Sequence, residues 1–187
     1  MIERNYYDIN DILFLEETVP ISFTIDVPLI ESLFKSSTNE DLKQGSVLQA
    51  PLYLAREMKA MEQLFRCPIP DSFSLQQQCF MESDPSNIDF KQIPYFYDFG
   101  IEVSKITTDK KMDIPGFLRN IWKTRYLEIN KRGHNPQPLE DGAVVGRMAR
   151  CEQIVYHMAK AHIEEYNQWK SGKRKKMLAS PLSELLN

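Results

Sequence analysis

The 187-residue sequence is poor in cysteine and has no long apolar segment. Its three cysteines, Cys67, Cys79 and Cys151, are an odd number without paired spacing, which argues against a disulfide framework. No apolar run approaches the roughly 20 residues needed to cross a bilayer, and the chain opens without a signal-peptide pattern. We therefore expect a soluble protein in a reducing compartment, either the cytosol or the nucleus.

The sequence also lacks the short motifs that accompany common enzyme chemistry. It contains no GxxxxGK[ST] phosphate loop, no GxGxxG, no GxSxG and no HExxH. Of the histidines His134, His157 and His162, the last two are five positions apart, so they do not share a helix face as zinc ligands would. We therefore predict no catalytic residue, no bound cofactor and no metal site, and we expect that the chain is not an enzyme.

The composition that is present fits a globular protein with two unlike parts. Hydrophobic residues make up 42% and charged residues 26% of the chain, which suffices for a core. Residues 1–62 hold five Lys/Arg and eleven Asp/Glu, a balance of −6, whereas residues 63–187 hold eighteen and fifteen, a balance of +3. This change of sign suggests two units with different surroundings.

The first third of the chain predicts a small β-rich domain, residues 1–62. Asp8 can cap a short helix. Alternation of apolar and polar residues from Ile21 to Val27 then predicts a half-buried strand. Residues 47–49 predict a second strand, and Pro51 suits the first turn of a helix that follows.

The remainder predicts an α-helical domain, residues 63–172, and a basic tail, residues 173–187. Apolar spacing of three and four residues predicts helices over residues 71–82, 90–106, 113–132 and 139–171, with Gly133 ending the third. The expected fold class is therefore mainly α, a C-terminal helical bundle preceded by the small β-rich domain.

The last predicted helix is unusually long and apolar on more than one face. An unbroken helix over residues 139–171 would span roughly 50 Å, and a domain of this size has little material to cover it. Exposed apolar area on that scale is typical of a protein interface. Gly142 and Gly146 are four positions apart. Either residues 139–143 are still loop and only Gly146 is helical, or these glycines and neighbouring alanines admit a close approach by another helix, the one over residues 113–132 or one from another subunit.

An alternative function is a stand-alone module that binds single-stranded nucleic acid. The aromatic run from Tyr95 to Phe99 could stack bases, and the basic segment that begins at Lys173 could contact phosphates. Only Lys91 supplies positive charge near the aromatic run, which favours a helix core instead. Ser180, before Pro181, could accept phosphate, but this dipeptide is common.

Several blocks of sequence, in order, resemble one known family. They are YYDINDIL at residues 6–13, Val19-Pro20 followed by Asp26-Val27-Pro28, APLYLA at residues 50–55, DPSNIDF at residues 84–90, PYFYDFG at residues 94–100, and the Tyr166 and Trp169 ending of the last helix. The family is the third Psf subunit of GINS, the eukaryotic replication complex, and the resemblance covers about residues 6–170.

The resemblance implies both fold and partners. GINS is a heterotetramer of four related subunits, each with a helical A domain and a small β-rich B domain, and here the B domain comes first. The complex joins the Cdc45 protein and the minichromosome-maintenance ring to form the replicative helicase in the nucleus. ATP hydrolysis belongs to the ring. This subunit would therefore be a non-catalytic scaffold that touches DNA only indirectly or weakly.

Two sets of residues are candidates for contact with partners. The first, on the last two predicted helices, comprises Trp122, Tyr126, Gly142, Gly146, Met148, Val155, Met158, Ile163, Tyr166 and Trp169. The second, for docking of the small domain, comprises Tyr6, Tyr7, Ile12 and Tyr53.

Overall fold

The computed structural model describes residues 7–26, 43–61, 64–109, 112–135 and 141–173. In these residues the chain is mainly helical, with one small antiparallel sheet, as predicted. The strands are β1 (Thr18–Phe23), β2 (Val47–Pro51) and β3 (Phe65–Arg66). The helices are α1 (Ile9–Leu15), α2 (Leu52–Met58), α3 (Leu75–Ser83), α4 (Phe96–Ile106), α5 (Ile114–His134), α6 (Asp141–Val145) and α7 (Arg150–Lys170), with 3₁₀ turns at Lys59–Met61, Asp71–Phe73 and Pro85–Asn87.

The sheet has the strand order β2-β1-β3, and β1 is antiparallel to both neighbours. Ile21 and Phe23 are buried as the predicted alternation requires, and Val19 before them is buried too, but Ile25 is 46% exposed and does not follow the pattern. The strand ends at Phe23 and a bend follows at residues 24–25, although the Thr24 amide still donates to the Leu64 carbonyl at 2.9 Å; Val27 lies outside the described residues. β3 joins the same sheet although it lies after residue 62, and the division into two domains at that point stays a prediction.

The main core runs continuously from the sheet into the helices. It includes Phe14 of α1, Val19 of β1, Phe73, Phe96 of α4 and Ile121 of α5, all nearly inaccessible to solvent. A second, smaller cluster joins α5 to α7 through Ile129, Met148 and Tyr156. This second cluster fixes the position of α7, which carries most of the candidate interface.

Several helix starts follow the predicted caps, but two helices begin later than predicted. The Asp8 carboxylate accepts from the Asn10 amide at 2.9 Å and begins α1, and Asp113 begins α5 in the same way. α3 is capped by Ser74 rather than Asp71. α4 begins at Phe96 instead of residue 90, because Pro94 disfavours helical backbone in the residue before it.

Gly133 does not end α5, contrary to the prediction. The helix continues to His134, and Gly133 is buried against α7. A Cβ atom at Gly133 would lie 2.6 Å from the Ala159 Cβ and 3.2 Å from the Tyr156 carbonyl oxygen. The glycine is therefore required by a close helix–helix approach, not by a helix terminus.

The predicted unbroken helix over residues 139–171 is also wrong. The described chain forms α6, a turn and then α7, and Ala149 has extended backbone with φ −64° and ψ 157°. The Glu152 carboxylate accepts the Ala149 amide at 3.1 Å, which stabilises a new helix N-terminus at this point. A Cβ at Gly142 would meet nothing within 4 Å, and one at Gly146 would meet only two α6 carbonyls. The predicted approach of helix 113–132 to these glycines is therefore absent.

Candidate partner interface

A buried ion pair holds α7 against α5. The Arg125 Nε and Nη2 atoms donate to the two carboxylate oxygens of Glu152 at 2.6 and 2.8 Å. The two side chains are 6% and 0% exposed. Such a bidentate contact fixes the orientation of the two side chains as well as their distance, so it sets how the two helices lie against each other.

The remaining polar atoms around this pair are also satisfied. The Tyr97 hydroxyl donates to Glu152 at 2.7 Å, and Arg125 Nη1 donates to the Pro85 and Ile88 carbonyls at 2.6 and 3.3 Å. The Arg125 guanidinium lies 4.8 Å from the centre of the Phe90 ring. The network thus joins α4, α5, α7 and the segment that leads from α3 to α4.

Electrostatics favours the donor forms of Tyr97 and Arg125. Burial raises the pKa of Tyr97, and the charge of Glu152 and its hydrogen bond raise it further, so the phenol remains a donor. Burial lowers the pKa of Arg125, but the hydrogen bond and charge of Glu152 outweigh it, and the pKa of Arg125 lies above its ordinary value. Both groups therefore donate to the same carboxylate, an arrangement that positions three helices.

α7 extends well past the end of its neighbour α5. The Arg125–Glu152 pair and the Gly133–Ala159 contact show that the two helices run in the same direction. α5 ends one residue after Gly133, whereas α7 continues from Ala159 to Lys170, about 16 Å further. In this extension only Lys160 and Ile163 are even half-buried among the described residues.

One face of α7 carries a row of exposed apolar side chains. Ile154 is 52% exposed, Met158 67%, Tyr166 49% and Trp169 63%. The Tyr166 and Trp169 rings lie 5.9 Å apart, centre to centre, at the end of the row. We call this row the α7 outer face. Large apolar side chains grouped in this way are typical of a protein contact surface.

The other candidates on the last helices occupy different environments. Met148 is 4% exposed and belongs to the second core cluster, which removes it from the candidate surface. Val155 is half-buried against the second core cluster, Ile163 is half-buried in the extension of α7, and Gly142 and Gly146 are exposed. Trp122 is half-buried, and its ring lies 5.2 Å from that of Tyr97 and 6.0 Å from that of Tyr126, which is 39% exposed.

A second exposed apolar surface lies on α1 and α2. Tyr7 is 82% exposed, and Ile12 and Tyr53 are each 48% exposed. Ile9 of α1 is 70% exposed and was not among the docking candidates. Its position one turn before Ile12 could have identified it as part of the same surface. Tyr6 lies outside the described residues.

The aromatic run of α4 is core, which removes the main support for the nucleic-acid alternative. Phe96 is 0%, Tyr97 8% and Phe99 4% exposed, so these rings are not available to stack on bases. They pack instead on Phe73, Phe90 and Phe117. The basic tail that supplied the second argument lies, apart from Lys173, outside the described residues.

The cysteines and histidines are dispersed. Burial raises the pKa of the Cys67 thiol to about 11, and burial with the Glu152 and Asp98 charges raises that of Cys151 to about 12. Within the described ranges, no three His, Cys, Asp or Glu side chains come together as a metal site would require. No helix in the same ranges has both the length and the apolar character for a bilayer span.

Comparison with known proteins gives one consistent family. The family described as PSF3 N-terminal domain matches residues 7–60. A Phaeosphaeria nodorum protein named DNA replication complex GINS protein PSF3 is 31% identical over 147 residues, which cover 74% of this chain and 80% of the relative. The protein of that name from Aspergillus fumigatus is 26% identical and covers 92% of this chain and 99% of its own length.

More distant relatives carry the same name. The Mus musculus protein is 22% identical over 96% of this chain and 87% of its own length. The Dictyostelium discoideum protein, named as a probable PSF3, is 24% identical over 92% of this chain, which spans 64% of that relative. These are proteins of the GINS class. Within that class, the chain belongs to the PSF3 family.

Proposed function

We propose that this chain is a non-catalytic structural subunit of a heterotetrameric GINS complex in the nucleus. The complex joins the Cdc45 protein and the minichromosome-maintenance ring into the replicative DNA helicase, which acts in initiation and at the moving fork. Family membership supports the role in DNA replication, since the relatives are named as DNA replication complex proteins. The chain contributes rigid surfaces, and ATP hydrolysis belongs to the ring.

The α7 outer face is the observation that carries the proposal. Ile154, Met158 and Trp169 are each more than half exposed along α7, which the Arg125–Glu152 pair holds near its N-terminus. A helix that is held on one side and carries exposed apolar side chains on another offers a ready contact for a helix of a sister subunit. Burial of this apolar area would contribute roughly 25 cal/mol per Å² to association.

Co-production with the three sister subunits tests the proposal. We expect the chain to aggregate when produced alone and to purify in equal amounts with the other three when they are produced together. Native mass measurement gives the stoichiometry. A monodisperse chain that unfolds cooperatively alone and does not associate with its sisters would contradict the proposal.

Matched variants locate the contact on α7. Met158→Ser with Trp169→Ser should weaken assembly, because both remove apolar area from the outer face. His157→Ser with Glu164→Ser should leave assembly intact, because these exposed positions lie on the other side of the helix. Equal effects of the two pairs would show that the outer face is not the interface.

The exposed surface on α1 and α2 is proposed as a second docking site, for the helicase partners. Tyr7, Ile12 and Tyr53 are exposed and lie beside acidic Asp8 and Asp11. Ile12→Ser with Tyr53→Ser should leave the tetramer intact but weaken its capture by the minichromosome-maintenance ring and Cdc45. Loss of tetramer assembly in this variant would place the surface between GINS subunits instead.

A further inference from the structure

The end of the α7 outer face forms a groove with an unusual set of side chains. His162, Glu165, Tyr166 and Trp169 line a cleft of about 270 Å³. The two aromatic rings are 5.9 Å apart and inclined by 36°, and both are about half exposed or more. The groove therefore presents two accessible aromatic surfaces next to one carboxylate.

The carboxylate of Glu165 has no cation opposite it within the described part of the chain. None of the ion pairs there includes Glu165. Lys160 and Lys170 are each five positions from Glu165, about 140° away around the helix, so they face other directions. A negative charge beside two exposed aromatic rings favours a partner that supplies a positive charge.

The chemistry of the groove fits one kind of side chain closely. Aromatic faces attract a cation through their quadrupole. Arginine can place its planar guanidinium on a ring while donating two hydrogen bonds to a carboxylate. Lysine carries a compact charge, so it is less able to lie on a ring and bind a carboxylate at the same time.

We propose that this groove receives an arginine side chain from a helix of a sister GINS subunit. The guanidinium lies against Trp169 and Tyr166 and donates to the Glu165 carboxylate, while Ile154 and Met158 pack on apolar residues of the same helix. The inference rests on the proposed function, because it names the chemistry of the partner at that interface. The groove would then set which partner binds and in which register.

The test measures the dissociation of this chain from the assembled complex, with variants on and off the groove. Glu165→Gln keeps the shape and removes the charge, and it should weaken binding about tenfold, the scale of one charge-assisted hydrogen bond. Trp169→Ala should weaken it at least as much. Glu164→Gln is the matched control, because it is the adjacent exposed carboxylate on another side of the helix, and it should change binding less than about twofold.

The dependence of binding on salt concentration is a second readout, because a purely apolar contact would not produce it. Wild-type binding should weaken more steeply than Glu165→Gln binding between about 0.05 and 0.5 M salt, so the two should converge. If Glu165→Gln binds as tightly as Glu164→Gln at low salt, the proposed arginine contact is wrong. This holds even if Trp169→Ala fails to assemble. Tighter binding by Glu165→Lys would overturn it as well.

Two further outcomes separate this inference from the proposed function. If the wild-type chain does not associate with sister subunits, the proposed function itself fails. If the wild-type chain alone forms a homodimer that Glu165→Gln weakens, the groove serves self-association and the sister-subunit assignment is overturned. All of these variants alter exposed side chains, so the circular dichroism and folding of the chain should be unchanged.

Discussion

The two halves of α7 have the same helical backbone but opposite surroundings. In the first half, Glu152, Tyr156 and Ala159 are almost inaccessible and pack on α5. In the second half, Tyr166 and Trp169 are among many exposed residues, because α5 has already ended. The comparison indicates that packing within the described chain covers one side of the first half, whereas it leaves most of the second half exposed.

The largest effect on stability is expected from the buried network. Glu152→Ala leaves the Arg125 guanidinium buried without its carboxylate and removes the acceptor of Tyr97, so it should cost about 3–5 kcal/mol. Amide hydrogen exchange of α4, α5 and α7 in the assembled complex measures this loss. Glu164→Ala, on the exposed side, should change exchange by less than about 0.5 kcal/mol.

A double replacement sharpens this prediction. Arg125→Met with Glu152→Leu removes both charges and should recover much of the loss, because no buried charge is left unpaired. If the double variant is no more stable than Glu152→Ala alone, the hydrogen bonds to Tyr97 and the Ala149 amide carry the stability instead of the ion pair.

A smaller effect is expected at the close contact between α5 and α7. Gly133→Ala would place a Cβ 2.6 Å from that of Ala159, and it should destabilise the packing by about 1–3 kcal/mol. Ala159→Gly in the same chain should restore most of the loss, since it removes the opposing atom. The measurement is again hydrogen exchange of the α5 and α7 amides.

Gly142→Ala is the matched control for Gly133→Ala. Gly142 is helical and a Cβ there would meet nothing within 4 Å, so alanine should leave stability unchanged or raise it by up to about 1 kcal/mol. A loss of assembly in Gly142→Ala would instead revive the close approach by a sister subunit predicted from the sequence.

The smallest effect on folding is expected at the exposed side chains of the α7 outer face. Met158→Ser and Trp169→Ala should each change the free energy of unfolding of the isolated chain, kept soluble by a fusion partner, by less than about 0.5 kcal/mol. The amides of residues 163–170 should exchange rapidly in that chain and slowly in the complex. Strong protection without partners would show that the second half is already covered by the chain itself.

Local sequence signals were reliable where a single neighbouring contact decides the structure. Asp8 and Asp113 begin helices because each carboxylate reaches an amide two or three residues ahead. Val19, Ile21 and Phe23 alternate because a strand turns every second side chain to the core. Their contacts need no knowledge of distant parts of the chain.

The sequence was misleading where a distant contact decides the structure. Glycine is common just after the end of a helix, which is why Gly133 was predicted to end α5. Its role is instead to leave space for the Ala159 side chain of α7. The helix predicted over residues 139–171 contains no proline to break it, yet it breaks where the Glu152 carboxylate accepts the Ala149 amide. Arg125 in the apolar row of α5 was a visible signal of a buried partner, but nothing local identified Glu152.

The sequence by itself determined the mainly helical class, the short sheet and membership in the PSF3 family, because these depend on residue order and local periodicity. Only the tertiary structure decided which apolar residues are buried and which are exposed. Met148 and Met158 lie on neighbouring stretches of one predicted helix, but the first is in the core and the second is 67% exposed. The reason is that Met158 lies on a side of α7 turned away from α5, whereas Tyr156 and Ala159 beside it pack on α5, and the side that meets a neighbour is a property of packing between distant segments.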